Sequence, residues 1–372
     1  MKYVKKIIVL IISLIFVLLF ILQIVLPKKE FSSKENRMLA TFPTFTFKRL
    51  YEGDYIKELE DYLVDHFPFR DMFMNIHLTS ERILLKDEIS DVYFAQDGYL
   101  IEKYNKPVNT KKIINRLNKF YEKLNYVNMN LMLVPTSVQI NKDLLPSNSL
   151  SYDELATIKE YYDNINFDYI DITNTLKTHN SDYQMFYKLD HHWTSYAAYY
   201  AYKEYAKNNN IDYIDISKFN ITKVTDNFRG TLSSKTSDYL RKSDAIYKFS
   251  LDNEDYTVKY VDTNIQTNTL YADKYLKEKD KYSYFLDNNH SLIEITNNNI
   301  KGNNDLLVIK DSYANSLIPF LVNHYHKVYV IDPRYYKKSI SDYVLENPNI
   351  KNILFIYNMI SLDTDSGIKS VH

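Results

Sequence analysis

The chain opens with one long apolar segment. Residues 7–26 are apolar except for Ser13 and Gln23, and three lysines precede them. Twenty such residues are enough to cross the hydrocarbon core of a bilayer, which is about 30 Å thick. The lysines predict that residues 1–6 lie in the cytoplasm and that the body of the protein is extracytoplasmic. A cleaved signal peptide is the alternative, but its apolar region would span about 7–15 residues and end at a small-residue site, which is missing after Leu26.

A mixed pattern follows at residues 27–90. The amphipathic stretch 55–64 predicts a helix, so we interpret this region as a stalk with one helix packed on the body. Beyond it, Asp97-Gly98 separates the apolar runs 92–94 and 99–101. A glycine between two such runs predicts a β-hairpin, because the turn requires a positive φ.

From residue 91 to residue 372, short apolar runs alternate with helical patterns. The alternation predicts an α/β fold with a mostly parallel sheet flanked by helices on both faces. Residues of about 240–300 interrupt it with a polar, Tyr-rich stretch that alternates weakly at 256–261, so we predict an insertion at the edge of the sheet. The predicted strands are 131–134, 169–172, 184–189, 306–309, 328–331 and 353–356, and the predicted helices are 111–124, 153–164, 194–207, 313–322 and 338–345.

Composition and charge exclude several functional classes. Only five of the 372 residues are Gly, against about 26 at average usage, and the sequence has no G-x-G-x-x-G or Walker motif for a nucleotide. The sequence also has no Cys, which excludes disulfides, thiolate metal sites and a cysteine nucleophile. The net charge of −1 provides no field that attracts nucleic acid. We therefore expect neither a cofactor nor a nucleic-acid partner.

Polar side chains follow most of the predicted strands at the point where each strand ends. In an open α/β sheet, ligands bind outside the carboxyl ends of the strands. We therefore expect these side chains, which include an acid, an imidazole, a hydroxyl and a guanidinium, to converge on one edge of the sheet. The segments are Pro135-Thr136-Ser137, Asp190-His191-His192-Trp193, Lys310-Asp311-Ser312, Asp332-Pro333-Arg334 and Tyr357-Asn358.

The segment from Asp190 to Trp193 is the strongest local signal. Acyl transfer through a serine requires an imidazole that takes the hydroxyl proton and a carboxylate that orients the imidazole. His192 and Asp190 are two residues apart and could supply both groups. The alternative is that Asp190 or Thr194 caps a helix and that the histidines are surface groups.

A metal site is a further interpretation of the same segment. Asp190 and His191 offer the oxygen and nitrogen ligands that many transition metals accept. The sequence has no H-E-x-x-H motif or comparable spacing of metal ligands to support this interpretation, so we expect no metal. The other histidines that could join such a site are His179, His324 and His326.

Ser312 follows an apolar run and precedes a helical pattern. A serine at the start of that helix exposes its Oγ, and its backbone N–H can stabilise an oxyanion. The alternative is that Asp311 or Ser312 only caps the helix. A strand–Ser–helix unit and an Asp-x-His unit in one chain together supply the parts of a serine triad, Ser312, His192 and Asp190.

Three other strand-end residues are weaker candidates. Arg334 could clamp a sugar or a carboxylate, or it could form a surface ion pair. Tyr357 or Asn358 could donate a hydrogen bond to an oxyanion. A single Tyr carries little weight in this chain, because the sequence has 36 of them.

Taken together, these segments resemble the DHHW proteins, a family related to the AlgX and AlgJ type of alginate O-acetylation proteins with SGNH-hydrolase-like domains. The resemblance covers about residues 35–360 and is weakest at 240–300. Lys310 stands where the hydrolase signature has Gly. The order Asp, His, Ser reverses the usual SGNH order but is that of the alginate proteins. The segments that carry the resemblance are Glu35-Asn36-Arg37-Met38-Leu39-Ala40, Phe42-Pro43, Asp65-His66-Phe67-Pro68-Phe69-Arg70-Asp71, Asp97-Gly98-Tyr99-Leu100, Asp190-His191-His192-Trp193-Thr194, Phe228-Arg229-Gly230-Thr231-Leu232, Ile309-Lys310-Asp311-Ser312-Tyr313, Asp332-Pro333-Arg334 and Tyr357-Asn358.

The resemblance implies an SGNH-like catalytic domain at residues 91–372 and a serine acyl-enzyme cycle. It implies that Ser312 is the nucleophile, His192 the general base and Asp190 the acid that orients His192. In that family a membrane-bound O-acyltransferase passes acetyl groups outward, and the SGNH-like protein places them on polysaccharide hydroxyls. The other residues expected to bind the oxyanion or the substrate are Tyr357, Asn358, Arg334, Gly230, His191 and Trp193.

The expected function is therefore a membrane-anchored, extracytoplasmic O-acetyltransferase that acts on a cell-surface or secreted polysaccharide. Its expected partners are the membrane-bound O-acyltransferase, the polysaccharide and the bilayer. Two alternatives stay open: a carbohydrate esterase that uses the same triad, and a non-catalytic polysaccharide-binding or assembly protein whose triad residues are caps and packing groups.

Overall fold

A computed structural model describes residues 2–32, 37–84, 86–236, 238, 241–364, 367–368 and 371 of the chain. The resembling residues Glu35 and Asn36 lie outside the described part. The chain divides into two compact units. The first unit comprises Met1–Ile89 and Ser234–Ser237, and the second comprises Ser90–Ser233 and Asp238–His372.

In the described part of the first unit, one long apolar helix is followed by three shorter helices and accompanied by three two-residue strands. Among the described residues, one helix is long and apolar enough to cross a membrane, and its candidate span is Tyr3–Val25. Helix formation over the predicted stretch 55–64 is confirmed, and Gly53, at φ 86°, separates this helix from the preceding one. The elements are α1 Lys2–Val25, β1 Phe31–Ser32, β2 Arg37–Met38, α2 Phe47–Glu52, α3 Asp54–Asp65, α4 Arg70–Ile83 and β3 Glu88–Ile89.

The second unit alternates strands and helices as predicted. The strands are β4 Val92–Phe94, β5 Leu100–Glu102, β6 Asn128–Val134, β7 Asp168–Tyr169, β8 Asn220–Phe228, β9 Asp244–Ser250, β10 Tyr256–Tyr260, β11 Ile265–Thr267, β12 Leu292–Asn297, β13 Asp305–Lys310, β14 Lys327–Ile331 and β15 Ile350–Asn358. The helices are α5 Thr110–Lys123, α6 Ser137–Ile140, α7 Glu154–Asn164, α8 Thr173–His179, α9 Ser195–Asn208, α10 Thr231–Thr236, α11 Ile318–Leu321, α12 Ile340–Glu346 and α13 Met359–Thr364.

The second unit is built around one eight-stranded sheet in the order β11-β10-β12-β14-β13-β15-β6-β7. The five strands from β14 to β7 run parallel, so the predicted α/β class with a mostly parallel sheet is confirmed. Strands β10, β11 and β12, from the region 240–300, extend one side of the sheet as antiparallel strands. The predicted hairpin is also present as β4 and β5, with Asp97 and Gly98 at φ 53° and 81° in its turn.

The parallel strands β6, β13, β14 and β15 are largely buried on both faces, as their continuous apolar runs require, whereas the short edge strand β7 is exposed. Side chains alternate between the faces along each strand. Leu306 and Val308 of β13 therefore face the hydrophobic cluster that includes α9. Leu307 and Ile309 face a second cluster that includes α5, α7 and α12.

Two predictions from the apolar pattern are wrong, and the predicted strand 169–172 is reduced to the two-residue β7, Asp168–Tyr169. Residues 184–189 form no strand; the backbone N–H groups of Lys188 and Leu189 instead donate to the buried carboxylate of Asp244. Residues 313–322 do not form one α-helix. A 3₁₀-helix, Ser312–Ser316, gives way to the four-residue α11, which has a proline in its first turn.

Candidate active site

The register of the sheet aligns the carboxyl ends of its parallel strands. Lys310 of β13 pairs with Ile356 of β15, and Ile309 pairs with Ile331 of β14. Because Asn358 in turn pairs with Val134 at the end of β6, the segments that follow these strands lie along one edge. The predicted convergence is therefore confirmed for the segments that follow β6, β13, β14 and β15, whereas the segment Asp190-His191-His192-Trp193 follows no strand.

Ser312 lies directly beyond the carboxyl end of β13. Asp311 caps the 3₁₀-helix Ser312–Ser316 by accepting a hydrogen bond from the Tyr313 N–H at 2.9 Å. Ser312 is half-buried. Among the described residues its N–H has no hydrogen-bond partner. This position leaves both the hydroxyl and the N–H of Ser312 available to a ligand.

His192 lies between Ser312 and Asp190. Its Nε2 is 2.8 Å from Ser312 Oγ, and its Nδ1 is 2.6 Å from Asp190 Oδ1. Because an ionised carboxylate only accepts hydrogen bonds, Nδ1 is the protonated nitrogen and the Ser312 hydroxyl donates to Nε2. Asp190 and His192 are 3% and 6% exposed, so water does not compete for this chain of hydrogen bonds.

Four hydrogen bonds, two from His192 and two from Thr231, hold the carboxylate of Asp190 in place. Oδ1 also accepts from the His192 N–H at 3.0 Å, and Oδ2 accepts from the Thr231 N–H at 2.8 Å and from Thr231 Oγ1 at 3.1 Å. Burial alone would raise the pKa of Asp190, but the charges of His191 and His192 and the hydrogen bonds outweigh burial and hold this pKa well below its usual value. The carboxylate is therefore ionised.

Gly230 allows this close approach. A Cβ atom at residue 230 would lie 1.9 Å from Asp190 Oδ2, a distance that no side chain can adopt without displacing the carboxylate. The segment Phe228-Arg229-Gly230-Thr231-Leu232 thus contributes to the site by packing its backbone against Asp190. The expected contact of Gly230 with an oxyanion or a substrate stays a prediction.

Hydrogen bonds of His191 and Trp193 connect the loop of His192 to the turn of Ser312. Trp193 is fully buried and donates its indole N–H to the Tyr313 carbonyl at 2.8 Å. The Tyr313 hydroxyl donates to the His191 carbonyl. Trp193 therefore connects the loop of His192 to the turn of Ser312, which corrects the expectation that it contacts a substrate. His191 is partly exposed, and its Nδ1 lies 2.5 Å from Thr231 Oγ1.

Asn358 and Tyr357 do not serve as the expected oxyanion donors. The Asn358 side-chain amide donates to Asp311 Oδ2 at 2.7 Å and to Ser361 Oγ at 2.5 Å, which uses both of its hydrogens. Tyr357 is fully buried in the cluster with α5 and α7, whereas Tyr313 and Trp193 belong to the cluster on the other face of the sheet. Local sequence could not reveal either placement, because tertiary contacts determine both.

Arg334 belongs to a buried charge cluster. Its Nε and Nη2 bind the two oxygens of Asp332 at 2.9 and 2.6 Å, so the ion-pair interpretation is confirmed, while its side chain is 28% exposed rather than fully at the surface. Lys310 is fully buried, 3.4 Å from the same Asp332 carboxylate. Burial lowers the pKa of Lys310 to about 8, although Asp332 partly offsets this effect.

The histidines proposed as additional metal ligands lie apart from Asp190. His324 Nε2 bonds the Tyr202 hydroxyl at 2.7 Å, and His179 stacks on Tyr200. His326 lies beside Asp305, at the end of β13 opposite to Ser312. Asp190, His191 and His192 do bring ligand atoms within 4.8 Å of one another, but Asp190 and His192 use theirs on each other, on Ser312 and on Thr231.

Tyr282 is a site residue that sequence reasoning missed. It lies in the 3₁₀-helix Lys281–Tyr284, inside the region 240–300. Its ring stacks on the His192 imidazole, with centroids 3.7 Å apart and planes 9° apart. No signal marked this residue, because it belongs to none of the motifs and the surrounding region is rich in Tyr.

Comparisons with known proteins agree with this fold. A family model described as DHHW protein matches residues 87–331, and no curated protein sequence matches the chain. A DHHW family protein from Eubacterium siraeum DSM 15702 is 24% identical over 75% of this chain and 94% of its own, with a TM-score of 0.66. Bacillus cereus PatB1, solved with a sulfonyl adduct, is 20% identical over 76% of this chain and 98% of its own, with a TM-score of 0.64. The O-acetyltransferase domain of Pseudomonas putida AlgJ is 12% identical over 76% and 95%, with a TM-score of 0.46.

Proposed function

This chain belongs to the DHHW family, and from that membership and the geometry around Ser312 we propose that it is a serine acyltransferase. It moves acetyl groups onto hydroxyls of a cell-surface or secreted polysaccharide. The observation that carries the proposal is the continuous hydrogen-bond chain from Ser312 Oγ through His192 to Asp190, at 2.8 and 2.6 Å. Nucleophile, base and orienting acid are all within hydrogen-bond distance, as such chemistry requires.

In the first half of the cycle, Ser312 Oγ attacks the carbonyl carbon of an acetyl donor. His192 Nε2 takes the hydroxyl proton, and the ionised Asp190 stabilises the imidazolium that forms. The Ser312 N–H, which has no partner among the described residues, donates to the oxyanion of the tetrahedral intermediate. The leaving group then departs with the proton and leaves an acetyl ester on Ser312.

In the second half, a sugar hydroxyl attacks the acetyl ester. His192 removes the proton of that hydroxyl and returns it to Ser312 Oγ when the ester bond breaks. Exclusion of water from this step favours transfer over hydrolysis. No residue of the cycle requires a metal or a cofactor, in keeping with the extracytoplasmic location that α1 and the preceding lysines predict.

The proposed partners follow from the same location. An extracytoplasmic enzyme has no direct supply of cytoplasmic acetyl donors, so a membrane-bound O-acyltransferase delivers the acetyl group across the bilayer. Helix α1 keeps the enzyme at the membrane surface, where the donor emerges and where the polysaccharide leaves the cell.

Covalent labelling tests the reaction class. We expect phenylmethanesulfonyl fluoride to add one sulfonyl group to the full-length protein in detergent, detected by intact mass, and Ser312→Ala to abolish the adduct. Ser137 is the matched control, because it opens α6 after β6 as Ser312 opens its helix after β13. Ser137→Ala is expected to label normally. Retention of the adduct in Ser312→Ala contradicts the proposal.

The polysaccharide of the producing cells separates the three functional alternatives. Replacement of the native protein by Ser312→Ala is expected to lower the ester-linked acetate released from the polymer by alkali. An esterase that runs the same acyl-enzyme toward water predicts the opposite, a rise in polymer acetate. A non-catalytic binding or assembly protein predicts no change.

A further inference from the structure

Tyr282 contacts both halves of the site through two different parts of its side chain. Its ring covers one face of the His192 imidazole at a centroid distance of 3.7 Å. Its hydroxyl is 3.2 Å from the carbonyl oxygens of Ser312 and Tyr313 and from Ser316 Oγ. The residue is 3% exposed, so both contacts are shielded from water.

The chain beyond Tyr282 is held against the turn of Ser312 as well. Leu286, Asp287 and Asn288 have φ values of 57°, 56° and 82°. A positive φ is unfavourable for residues other than glycine, and especially for leucine. This backbone conformation therefore persists only where surrounding contacts enforce it. Those contacts include Asn289 Oδ1, which accepts from Lys310 Nζ at 2.8 Å and from Asn315 Nδ2 at 3.3 Å.

Tyr282 makes a contact with the His192 imidazole that the other neighbours of this ring do not make. Asp190 and Ser312 occupy the two ring nitrogens. His191 lies 3.9 Å from the imidazole at 37°, and Tyr313 lies 5.2 Å away at 47°. Two further buried acids lie near these residues: Asp244 accepts from the backbone N–H groups directly before Asp190, and Asp311 precedes Ser312 and accepts from the Tyr313 N–H. Among the rings that the structure describes around His192, Tyr282 alone presents a parallel face to the imidazole.

We propose that Tyr282 is a positioning residue of the acyl-transfer site: its stack fixes the imidazole of His192 in line with Ser312 and Asp190, and its ring face stabilises the imidazolium. The inference rests on the proposed function. The positive charge arises on His192 when the Ser312 proton moves to Nε2, and an aromatic face attracts a cation that lies against it. The interaction is therefore stronger in the transition state than in the resting enzyme, which is the condition for a contribution to rate.

The pH dependence of sulfonylation tests both roles in the full-length protein. In this reaction the bond from Ser312 Oγ to sulfur forms, fluoride leaves, and His192 takes the proton. The rate rises with pH as His192 loses its proton. Stabilisation of the imidazolium raises the midpoint of that rise, so Tyr282→Leu is expected to lower the midpoint by about 0.5–1 pH unit. It should also slow labelling at pH 8 roughly 10- to 100-fold, because the imidazole is no longer held in place.

The conservative variant separates the ring from the hydroxyl. Tyr282→Phe keeps the stack and loses the hydrogen bonds, so its midpoint should match the wild type while its rate falls only a few-fold. A residue with a purely structural role would change the rate without moving the midpoint. Wild-type rate and midpoint in Tyr282→Leu overturn the inference and leave the proposed function intact. The absence of a Ser312 adduct in the wild type overturns both.

A non-natural amino acid at position 282 provides a second test if the Tyr282→Leu variant does not fold. Pentafluorophenylalanine introduced at position 282 has nearly the shape of Phe but an electron-poor ring face. We expect it to lower the pH midpoint relative to Tyr282→Phe, and an equal midpoint in the two proteins overturns the inference. Folding is checked by the fluorescence of the single tryptophan, Trp193, which is fully buried beside the site.

Discussion

Two regions of this protein depart from the usual distribution of polar and apolar side chains, and they do so in opposite directions. In the first unit, helices α2 and α3 have no buried residue, and large apolar side chains such as Phe47 and Tyr51 are 82% and 95% exposed. At the carboxyl edge of the sheet in the second unit, Lys310, Asp311 and Asp332 are completely buried.

The two departures have different physical consequences. A buried charge destabilises the fold unless a partner of opposite charge or several hydrogen bonds compensate it. Asp332 therefore depends on Lys310 and Arg334, and Asp311 on Asn358 and Ser361. An exposed aromatic side chain requires no partner within the chain. Substitutions at the sheet edge should thus be costly and coupled to the site, whereas substitutions on α2 should change stability little.

Removal of Asp332 should give the largest effect. Asp332→Leu leaves Lys310 and Arg334 without their carboxylate, so we expect the free energy of unfolding to fall by about 3–5 kcal/mol. Urea unfolding of the full-length protein in detergent, followed by Trp193 fluorescence, measures this change. Asp143→Leu is the control, because Asp143 is exposed. A loss below about 1 kcal/mol would mean that the buried cations find other partners.

Glu154 should give the next largest effect, and it should depend on pH. Glu154 is buried and accepts hydrogen bonds from the Thr136 N–H and hydroxyl at 2.8 and 2.9 Å. Burial raises its pKa from 4.5 to about 7. The folded protein therefore binds this proton more tightly than the unfolded chain does, and stability falls as pH rises from 4.5 to 7.

Replacement by glutamine removes this titration and keeps the shape of the side chain. Glu154→Gln should have nearly wild-type stability at pH 4.5 and gain roughly 2–3 kcal/mol over the wild type at pH 8, measured by the same urea unfolding at both pH values. Glu160→Gln, on the exposed side of α7, should show no such difference between pH values. An equal effect of Glu154→Gln at both pH values would contradict a buried, titrating Glu154.

Gly230→Ala should combine a moderate loss of stability with a large loss of reactivity. The new Cβ displaces the Asp190 carboxylate, and overpacking of this kind costs roughly 1–3 kcal/mol. The displacement also misorients His192, so sulfonylation of Ser312 should slow at least tenfold. Gly302→Ala is the control: no atom lies within 4 Å of its added Cβ, but the φ of 143° strains an alanine, so stability should fall while labelling of Ser312 stays normal. Normal labelling of Gly230→Ala would show that the carboxylate can shift without consequence.

Some features of the fold and of the site could be predicted from the sequence and others could not. The difference is whether the residues involved lie close together in the sequence. Strands β13 and β15 and helix α9 were predicted correctly, because apolar periodicity is local and each segment contains it entirely. The hydrogen-bonded arrangement of Ser312, His192 and Asp190 was predictable, because Asp190 and His192 are two residues apart and Ser312 follows a strand. The contacts of Tyr282 and Asn358 were not predictable. Their partners, His192 and Asp311, are 90 and 47 residues away in the sequence, and no local pattern records such contacts.

The smallest effect should come from the apolar surface of α2. Phe47 is 82% exposed, and its main aromatic neighbour is Phe45, at 5.4 Å between ring centroids. Phe47→Ala should therefore change the free energy of unfolding by no more than about 0.5 kcal/mol. The same substitution at the fully buried Phe355 of β15 should cost about 3–5 kcal/mol, because it leaves a cavity between the sheet and α5. Equal costs at the two positions would mean that the aromatic surface of α2 is buried in the folded protein in detergent, and the contrast between the two regions would then disappear.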